Sequence, residues 1–376
     1  MPSSLPSPLP LPMHSGLAAR PAPTRNQSQL HWIQTNLLGD WLTTAVTLAI
    51  GLVFLAFIPG LLRWFVLDAT WVADPQVCRE AGGACWGVVR EKFRFIIFGR
   101  YPFDQHWRPL IGTAILLALI VVSCLRFFWK RWLGGLWLVG LTCFFVLMRG
   151  GIAGLPQVDT DLWSGLPLTI FLSSMSLAIA FPIAVLIALG RRSELPLVRS
   201  LCVVYVEVIR SVPLISVLFM ASFMFPLLLP AGVSVDVLVR VVGGIALFAA
   251  AYMAEVIRGG LQAIPKGQFE AAASIGLSYW QTQRTVVLPQ ALTIVVPGLM
   301  NNFISTFKDT SLVAIVSLYE LTGAMGMAMS AEAQWRPFRL EAYLFIAVIY
   351  FVFCLSMSRY SRWVETQLHA GKTALA

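Results

Sequence analysis

The sequence predicts an all-α polytopic membrane protein with about eight transmembrane helices. Three observations lead to this prediction: 58% of the 376 residues are hydrophobic, only 12% are charged, and the apolar residues are gathered in long runs. A soluble domain has about 25% charged residues, and half of that charge leaves too little polar surface to cover a globule of this size. In a bilayer, apolar stretches of about 20 residues cross as helices whose backbone groups are paired internally.

The first 29 residues are predicted to form a disordered, proline-rich tail. Seven prolines interrupt any helix in this segment, and it contains no apolar run of the kind found in signal peptides. A PxxP spacing within the tail is compatible with binding a partner protein, and a solvated tail without a partner is the alternative.

From residue 30 the chain alternates apolar runs with polar breaks. The runs predicted to span the membrane are, in order, Trp41–Leu67, Pro109–Phe128, Trp132–Met148, Leu166–Gly190, Val198–Leu229, Val237–Ile257, Ala291–Ser317 and Tyr343–Met357. They divide the chain into a three-span extension at 30–160 with a polar loop at 68–108, a five-span core at 161–365 and a C-terminal tail at 366–376.

The basic residues predict that both ends of the chain face the cytoplasm. With that orientation the inner segments contain Arg20, Arg25, Arg126, Lys130, Arg131, Arg191, Arg192, Arg199, Arg258, Lys266, Arg284, Arg359, Arg362 and Lys372. The loop at 68–108 is then external although it carries six basic residues, and its length weakens the rule at that point. The net charge of +9 does not indicate nucleic-acid binding, because the basic residues are scattered at the ends of apolar runs.

Cys78 and Cys85 both lie in the polar loop at 68–108. In an oxidising compartment the two thiols can form a disulfide, and two free thiols are the alternative. No histidine accompanies the pair and the four histidines of the chain form no cluster, so we predict no metal site. The other four cysteines lie in or near apolar runs and are predicted to be packing residues.

The most specific motif lies in an amphipathic segment at 258–289, between the sixth and seventh runs. Glu270, Ala271 and Ala272 are followed by Gly276, and Leu288 and Pro289 come twelve and thirteen residues after that glycine. On a helix, Ala272 and Gly276 lie one turn apart, so small side chains there would allow another backbone to approach closely. The residues that carry this pattern or shape the entry to the segment are Pro265, Gly267, Glu270, Ala271, Ala272, Ala273, Gly276, Leu288 and Pro289. An amphipathic helix that only connects two spans is the alternative.

This spacing resembles the cytoplasmic signature loop of the permease subunits of ATP-binding cassette (ABC) importers. Four further stretches resemble the polar amino acid uptake branch of that family: AEVIRGGLQAIPKGQFEAA at 254–272, WSGLPLTI at 163–170, YVEVIRSVPL at 205–214 and FKDTSL at 307–312. The stretches ACW at 84–86 and FGRYPFDQHWRP at 98–109, together with the cysteine pair, resemble the longer of the two unequal permeases in general L-amino acid importers.

The resemblance implies a type I ABC importer permease core over 161–365, located in the cell inner membrane. It implies partners: a second related permease, an ATPase dimer that docks on the 258–289 segment, and an external binding protein that delivers amino acids for alternating-access transport. The sequence contains no G-x-x-x-x-G-K-[ST] motif, so ATP and Mg²⁺ would bind the partner ATPase, and this chain is expected to be non-catalytic and without a cofactor. A permease for another small polar solute, such as an opine or an organic acid, and an ion-coupled carrier are the alternatives. The residues do not indicate which amino acids are carried.

Ionisable residues within the runs are candidates for the substrate path, because charges in a bilayer are costly. Glu207 and Arg210 are three residues apart on one helix face, so they are expected either to pair with each other or to face an amino acid, which carries both charges. Lys308 and Asp309 are adjacent and therefore point in different directions, and anchoring the end of a span is the alternative role for both. Whether this permease or its partner holds the substrate site is left open.

Overall fold

The computed structural model describes residues 29–373 apart from 131, 153 and 231, so the proline-rich tail predicted at 1–29 lies outside the described residues except for Gln29. The chain forms two compact units, one ending at Asp68 and one beginning at Ala69. The first unit contains helices α1 (Gln29–Asn36) and α2 (Trp41–Leu62), and α2 continues as a π-helical turn to Leu67. The stretch Trp41–Leu67 has a mean hydropathy of 2.5, which suits a membrane span, and its bounds agree with the first predicted run.

The second unit contains thirteen α-helices in its described residues. They are α3 (Pro75–Ala81), α4 (Gly87–Phe98), α5 (Trp107–Cys124), α6 (Trp132–Arg149), α7 (Gly165–Gly190), α8 (Pro196–Ser211), α9 (Leu214–Phe219), α10 (Val237–Gln262), α11 (Lys266–Ser274), α12 (Tyr279–Thr282), α13 (Leu288–Asp309), α14 (Leu321–Ala331) and α15 (Arg339–Thr373). Short 3-10 or π-helical segments extend several of them, at Met220–Met224, Phe225–Leu228, Gln283–Val287, Thr310–Val316 and Ala333–Phe338.

Among the described residues, seven helical stretches are long and apolar enough to cross a membrane, and α8 with α9 makes an eighth if the pair is counted as one broken span. The predicted all-α architecture with about eight spans is therefore confirmed. The fifth run, predicted as one span over Val198–Leu229, is instead bent by 106° between α8 and α9. The bend lies at Val212, which is extended (φ −103°, ψ 134°) because the ring of Pro213 disfavours a helical conformation at the preceding residue.

Two spans are longer than predicted by more than ten residues. The seventh begins at Tyr279 rather than Ala291, and the eighth covers Ala333–Leu368 rather than Tyr343–Met357. Most of the segment predicted as a C-terminal tail is helical, since α15 continues to Thr373. In both cases the flanking residues are polar but compatible with a helix, so hydropathy finds the apolar part of the helix and not its ends.

Helices α7 and α10 form the centre of the second unit, and α10 also packs against α13. α7 contributes buried alanines at every fourth position, namely Ala180, Ala184 and Ala188, and such small residues let neighbouring backbones approach closely. The α10–α13 contact depends on glycine at both helices. A Cβ on Gly260 would lie 2.5 Å from Cγ1 of Val295, and one on Gly298 would lie 2.8 Å from Cγ1 of Val256. This close contact fixes the position at which α10 leads into the 258–289 segment.

The loop predicted at 68–108 is folded. A disulfide joins Cys78 of α3 to Cys85, two residues before α4, with their Cα atoms 5.4 Å apart. α4 packs on α14 and α15. The backbone N–H of Cys85 donates to Oε1 of Glu341 in α15 at 2.9 Å, and Lys92 of α4 forms an ion pair with Glu332. These contacts attach the segment to the helices at the end of the chain.

Candidate coupling and solute sites

The 258–289 segment begins where α10 ends. Pro265 is extended (ψ 143°) and directly precedes α11, which covers Lys266–Ser274. Two side-chain contacts attach α11 to its neighbours. The guanidinium of Arg192 lies 5.6 Å from the ring centroid of Phe269, and the amide of Gln290 in α13 donates to Oε1 of Gln268 at 3.0 Å. Two adjacent residues of α11, Gln268 and Phe269, therefore attach the segment to the bundle.

The sequence led us to expect Gly276 on the surface of the helix, but the structure places it beyond the end of the helix. α11 ends at Ser274, and Gly276 adopts a left-handed conformation with φ +77°. The N–H of Gly276 donates to the carbonyl of Ala273 at 3.0 Å and that of Leu277 to the carbonyl of Ala272 at 3.1 Å, which is a Schellman motif. The motif requires glycine for its backbone conformation, because a side chain is disfavoured at this φ. The backbone conformation is enough to explain why this residue is glycine, without another backbone packing closely against it.

After this turn the chain enters a second helical stretch. The hydroxyl of Ser278 accepts from the N–H of Gln281, and the N–H of Ser278 donates to Oε1 of Gln281 at 2.9 Å, which together form a capping box. A π-helical turn at Gln283–Val287 then leads into α13, which begins with Leu288 and Pro289. Proline cannot donate a backbone hydrogen bond, and a π-helical turn directly before it is consistent with that missing donor.

The surface of this segment is largely uncovered in the chain. Glu270, Ala271 and Ala273 are exposed, whereas Ala272 is buried against the bundle. Beside them three large apolar side chains, Ile275, Tyr279 and Trp280, are exposed by 74%, 53% and 66%. Of the predicted docking residues, Ala272 therefore packs inward and its neighbours face outward, next to this apolar patch.

An ion-pair network lies beside the start of this segment. Arg191, which follows α7, has Nη1 2.6 Å from Oε2 of Glu255 in α10 and Nη2 3.2 Å from Oε1 of Glu207 in α8. Glu255 also pairs with Arg258, and Nη1 of Arg210 lies 3.9 Å from its Oε2. In the described ion pairs Glu207 and Arg210 have separate partners, so the expected pairing between these two residues is replaced by pairing across helices.

A polar cavity of about 280 Å³ lies between α10 and α13. Its lining includes Tyr252 on α10 and a polar stripe on α13 formed by Asn302, Ser305, Thr306 and Asp309. Sequence reasoning found only Asp309 of this set. The other three could have been found from their spacing, because polar residues three and four apart in an otherwise apolar run share one face of the helix.

The four predicted substrate-path residues separate into different surroundings. The guanidinium of Arg210 lies over the ring of Tyr252, 5.4 Å from its centroid, so Arg210 is next to the cavity that Asp309 lines. Lys308 lines another cavity, of about 490 Å³, with Tyr350 and Cys354. Glu207 is mostly exposed and pairs with Arg191. The structure thus brings Arg210 and Asp309 to one region and leaves the other two apart.

A metal centre is not indicated. Within residues 29–373, the described part of the chain, no group of three or more His, Cys, Asp or Glu side chains is placed to hold a metal ion. The cavity lined by Asp309 and the ion-pair network are two polar features of the described residues.

Comparison with known proteins identifies the family. A family described as "Binding-protein-dependent transport system inner membrane component" matches residues 180–369. Over 360 residues the chain is 42% identical to the inner membrane amino-acid ABC transporter permease protein YhdY of Escherichia coli (strain K12), with 94% of this chain and 97% of that protein covered. It is 35% identical over 419 residues to the glutamate/glutamine/aspartate/asparagine transport system permease protein BztC of Rhodobacter capsulatus, with 94% and 96% covered.

A solved structure described as "Crystal structure of an amino acid ABC transporter with histidines" is 30% identical, with a TM-score of 0.48 over 54% of this chain and 92% of that one. The two relatives above match the chain nearly from end to end, so the N-terminal three-span region is included in the similarity. The chain belongs to the family of inner membrane components of binding-protein-dependent transport systems, the non-catalytic permease subunits of ABC transporters.

Proposed function

We propose that this chain is the permease of an ABC importer that carries amino acids across the inner membrane. The observation that carries the proposal is the 42% identity to an amino-acid permease over 94% of the chain, together with a second full-length relative named for four amino acids. Both relatives include the three-span extension, which supports the assignment of this chain as the longer member of a pair of unequal permeases.

The 258–289 segment is the proposed docking site for the ATPase. Its support is the exposed patch of Ile275, Tyr279 and Trp280 beside the exposed side of α11. Large apolar side chains that are left uncovered at a polar loop indicate a protein interface. Hydrolysis of ATP takes place in the separate ATPase subunit, and both termini of this chain are proposed to lie on the same cytoplasmic side as the segment.

Transport is proposed to follow an alternating-access scheme in which motion of the docked ATPase reaches the spans through α11. The segment is attached to α7 through Arg192 and to α13 through Gln290. The ion pairs of Glu255 attach α10 to the residue that follows α7. A displacement of α11 would therefore move these helices together as a rigid body rather than bend one of them.

The cavity beside Asp309 is the proposed contact site for the solute. Its volume of about 280 Å³ lies just below the roughly 300–1,000 Å³ of pockets for drug-sized ligands, which suits a molecule as small as an amino acid. A free amino acid carries an ammonium and a carboxylate. Asp309 can accept hydrogen bonds from the ammonium, and Arg210, stacked on the cavity residue Tyr252, can donate two to the carboxylate.

The proposal is tested by uptake of labelled solutes into proteoliposomes that contain the full-length chain with its co-encoded permease, ATPase and binding protein. The panel contains acidic, amide, basic and aliphatic amino acids, an opine and a dicarboxylic acid, each with and without ATP. We expect ATP-dependent uptake of one or more amino acids. ATP-dependent uptake of only the opine or the dicarboxylate would contradict the substrate class, and uptake driven by an ion gradient without ATP would contradict the ABC mechanism.

A further inference from the structure

A second polar cavity, of about 300 Å³, lies where α7, α8 and α10 meet. It is lined by Arg191, Arg192, Arg199 and Arg258, together with Val203 and Gln262. α7 ends at Gly190 and α10 at Gln262, so the four guanidinium groups gather at the ends of two membrane spans. The transport mechanism above uses Arg191 in an ion pair and Arg192 as a contact of α11, but it gives no role to a cavity with this lining.

The cavity is not electrically balanced by the surrounding residues. Glu207 and Glu255 are the carboxylates paired with its arginines in the described structure, and Glu255 alone contacts both Arg191 and Arg258. Arg192 donates to the backbone carbonyl of Leu261, which carries no charge. Among the described residues Arg199 forms no ion pair. The four guanidinium groups therefore retain a net positive charge.

The helix that contributes Arg199 has two opposite faces. Leu197, Leu201, Val204 and Val208 follow one another at helical spacing on one face of α8, and each side chain is more than half exposed. Arg199 and Val203, which line the cavity, are on the opposite face. α8 is bent by 106° from α9, the helix that continues the run. A short helix with one apolar face and an arginine on the opposite face, turned away from the span that follows it, is typical of a helix lying in the membrane interface.

We propose that this cavity binds the phosphate group of an anionic phospholipid. Guanidinium forks match the geometry of phosphate oxygens, and basic pockets between transmembrane helices bind anionic headgroups. The exposed apolar face of α8 provides a surface for the acyl chains next to the cavity. A soluble phosphate ion shares the headgroup's chemistry but would make no contact with that apolar face.

The test measures lipid binding directly, so its outcome is independent of which solute is transported. The complex containing the full-length chain is purified in detergent, exchanged against phosphatidylglycerol or phosphatidylcholine, and analysed for bound lipid by native mass spectrometry. Arg199→Gln is the test variant because Arg199 forms none of the described ion pairs. Arg362→Gln removes the same charge from an exposed position on α15 and is the matched control.

We expect the complex to retain phosphatidylglycerol in preference to phosphatidylcholine. Arg199→Gln should lower phosphatidylglycerol affinity about five-fold, as expected for the loss of one arginine that contacts the bound headgroup, while Arg199→Lys restores most of it and Arg362→Gln changes little. Equal loss in Arg199→Gln and Arg362→Gln, or no loss in either, would overturn the site. Displacement of the lipid by millimolar inorganic phosphate would overturn the lipid as the source of the phosphate. Loss of the ATPase from Arg199→Gln with lipid binding unchanged would assign the arginines to the protein partner instead.

Discussion

The guanidinium of Arg191 and the carboxylate of Glu255 form an ion pair, with 2.6 Å between Nη1 and Oε2. The two residues belong to different parts of the bundle, since Arg191 directly follows α7 and Glu255 lies in the last two turns of α10. Glu255 also accepts hydrogen bonds from Arg258 and lies near Arg210, so one carboxylate compensates several guanidinium groups. The pair thus links the end of α7 to α10, the helix that leads into the 258–289 segment.

Glu255→Gln should destabilise the chain. The substitution keeps the shape of the side chain but leaves Arg191 and Arg258 without their shared carboxylate, which we expect to cost about 2 kcal/mol. The measurement is the midpoint of thermal unfolding of the purified complex, which should fall. Glu194→Gln, at an exposed residue in the turn before α8, is the control and should leave the midpoint unchanged. Equal midpoints for Glu255→Gln and the wild type would show that the network contributes no stability.

Gly276→Ala and Gly267→Ala should have opposite effects although both lie in the 258–289 segment. Gly276 has φ +77°, a conformation that costs a residue with a Cβ about 1–2 kcal/mol, whereas Gly267 lies within α11, where alanine is favoured by about 1 kcal/mol. A Cβ at either position meets no atom within 4 Å, so the difference reflects backbone conformation alone. Hydrogen exchange of the amides of residues 272–277 should become faster in Gly276→Ala and slower in Gly267→Ala. Identical exchange in the two variants would contradict the Schellman motif.

Asp309→Asn should impair uptake without impairing assembly. Loss of a charged hydrogen bond of about 1.5–3 kcal/mol corresponds to roughly a 10- to 100-fold higher KM for the amino acid. The measurement is the concentration dependence of uptake in proteoliposomes, together with the basal rate of ATP hydrolysis, which should be retained. Asp161→Asn, at an exposed residue in a 3-10 turn before α7, should behave like the wild type. An unchanged KM in Asp309→Asn would remove this cavity from the substrate path.

Cys78 and Cys85 should resist alkylation until the protein is reduced. The chain has six cysteines, and the four outside the disulfide are free in the structure, so denaturation without reductant should expose four reactive thiols and reduction should expose six. Closing a loop this short stabilises a folded segment by about 2.5 kcal/mol in the chain-entropy treatment. The measurement is the number of alkylated cysteines by mass spectrometry. Six alkylated cysteines before reduction would contradict both the disulfide and an oxidising location for this segment.

Some elements follow from the sequence with little further information. The run Trp41–Leu67 agrees with its span because Asp40 and Asp68 delimit a stretch without charges other than Arg63, and Leu166–Gly190 differs from α7 by one residue. The pattern from Glu270 to Gly276 correctly indicated a helix, α11, although the helix ends before Gly276. In these places local composition and local structure agree, so hydropathy and spacing are sufficient.

Other features depend on tertiary contacts that a single sequence does not display. The expected Glu207–Arg210 pair followed from helical spacing, but Arg191 and Glu255 come from other helices and compete for the same charges. Pro213 indicates that the helix is interrupted at Val212, but the sequence does not indicate the size of the bend. The role of Gly276 changed for a similar reason: its spacing fits a helix face, whereas its backbone conformation ends the helix.

The coupling role of the 258–289 segment is tested most directly by measuring ATP hydrolysis and amino acid uptake in the same proteoliposomes for two matched variants. Ile275→Ser removes an isoleucine that is 74% exposed in the segment, and Ile152→Ser removes one that is 62% exposed outside it. We expect Ile275→Ser to retain the ATPase poorly on purification and to lose most uptake, while Ile152→Ser behaves like the wild type. The assignment would be contradicted if Ile275→Ser retained the ATPase fully and showed unchanged uptake per ATP hydrolysed. The same result in the double variant with Trp280→Ser would complete the contradiction.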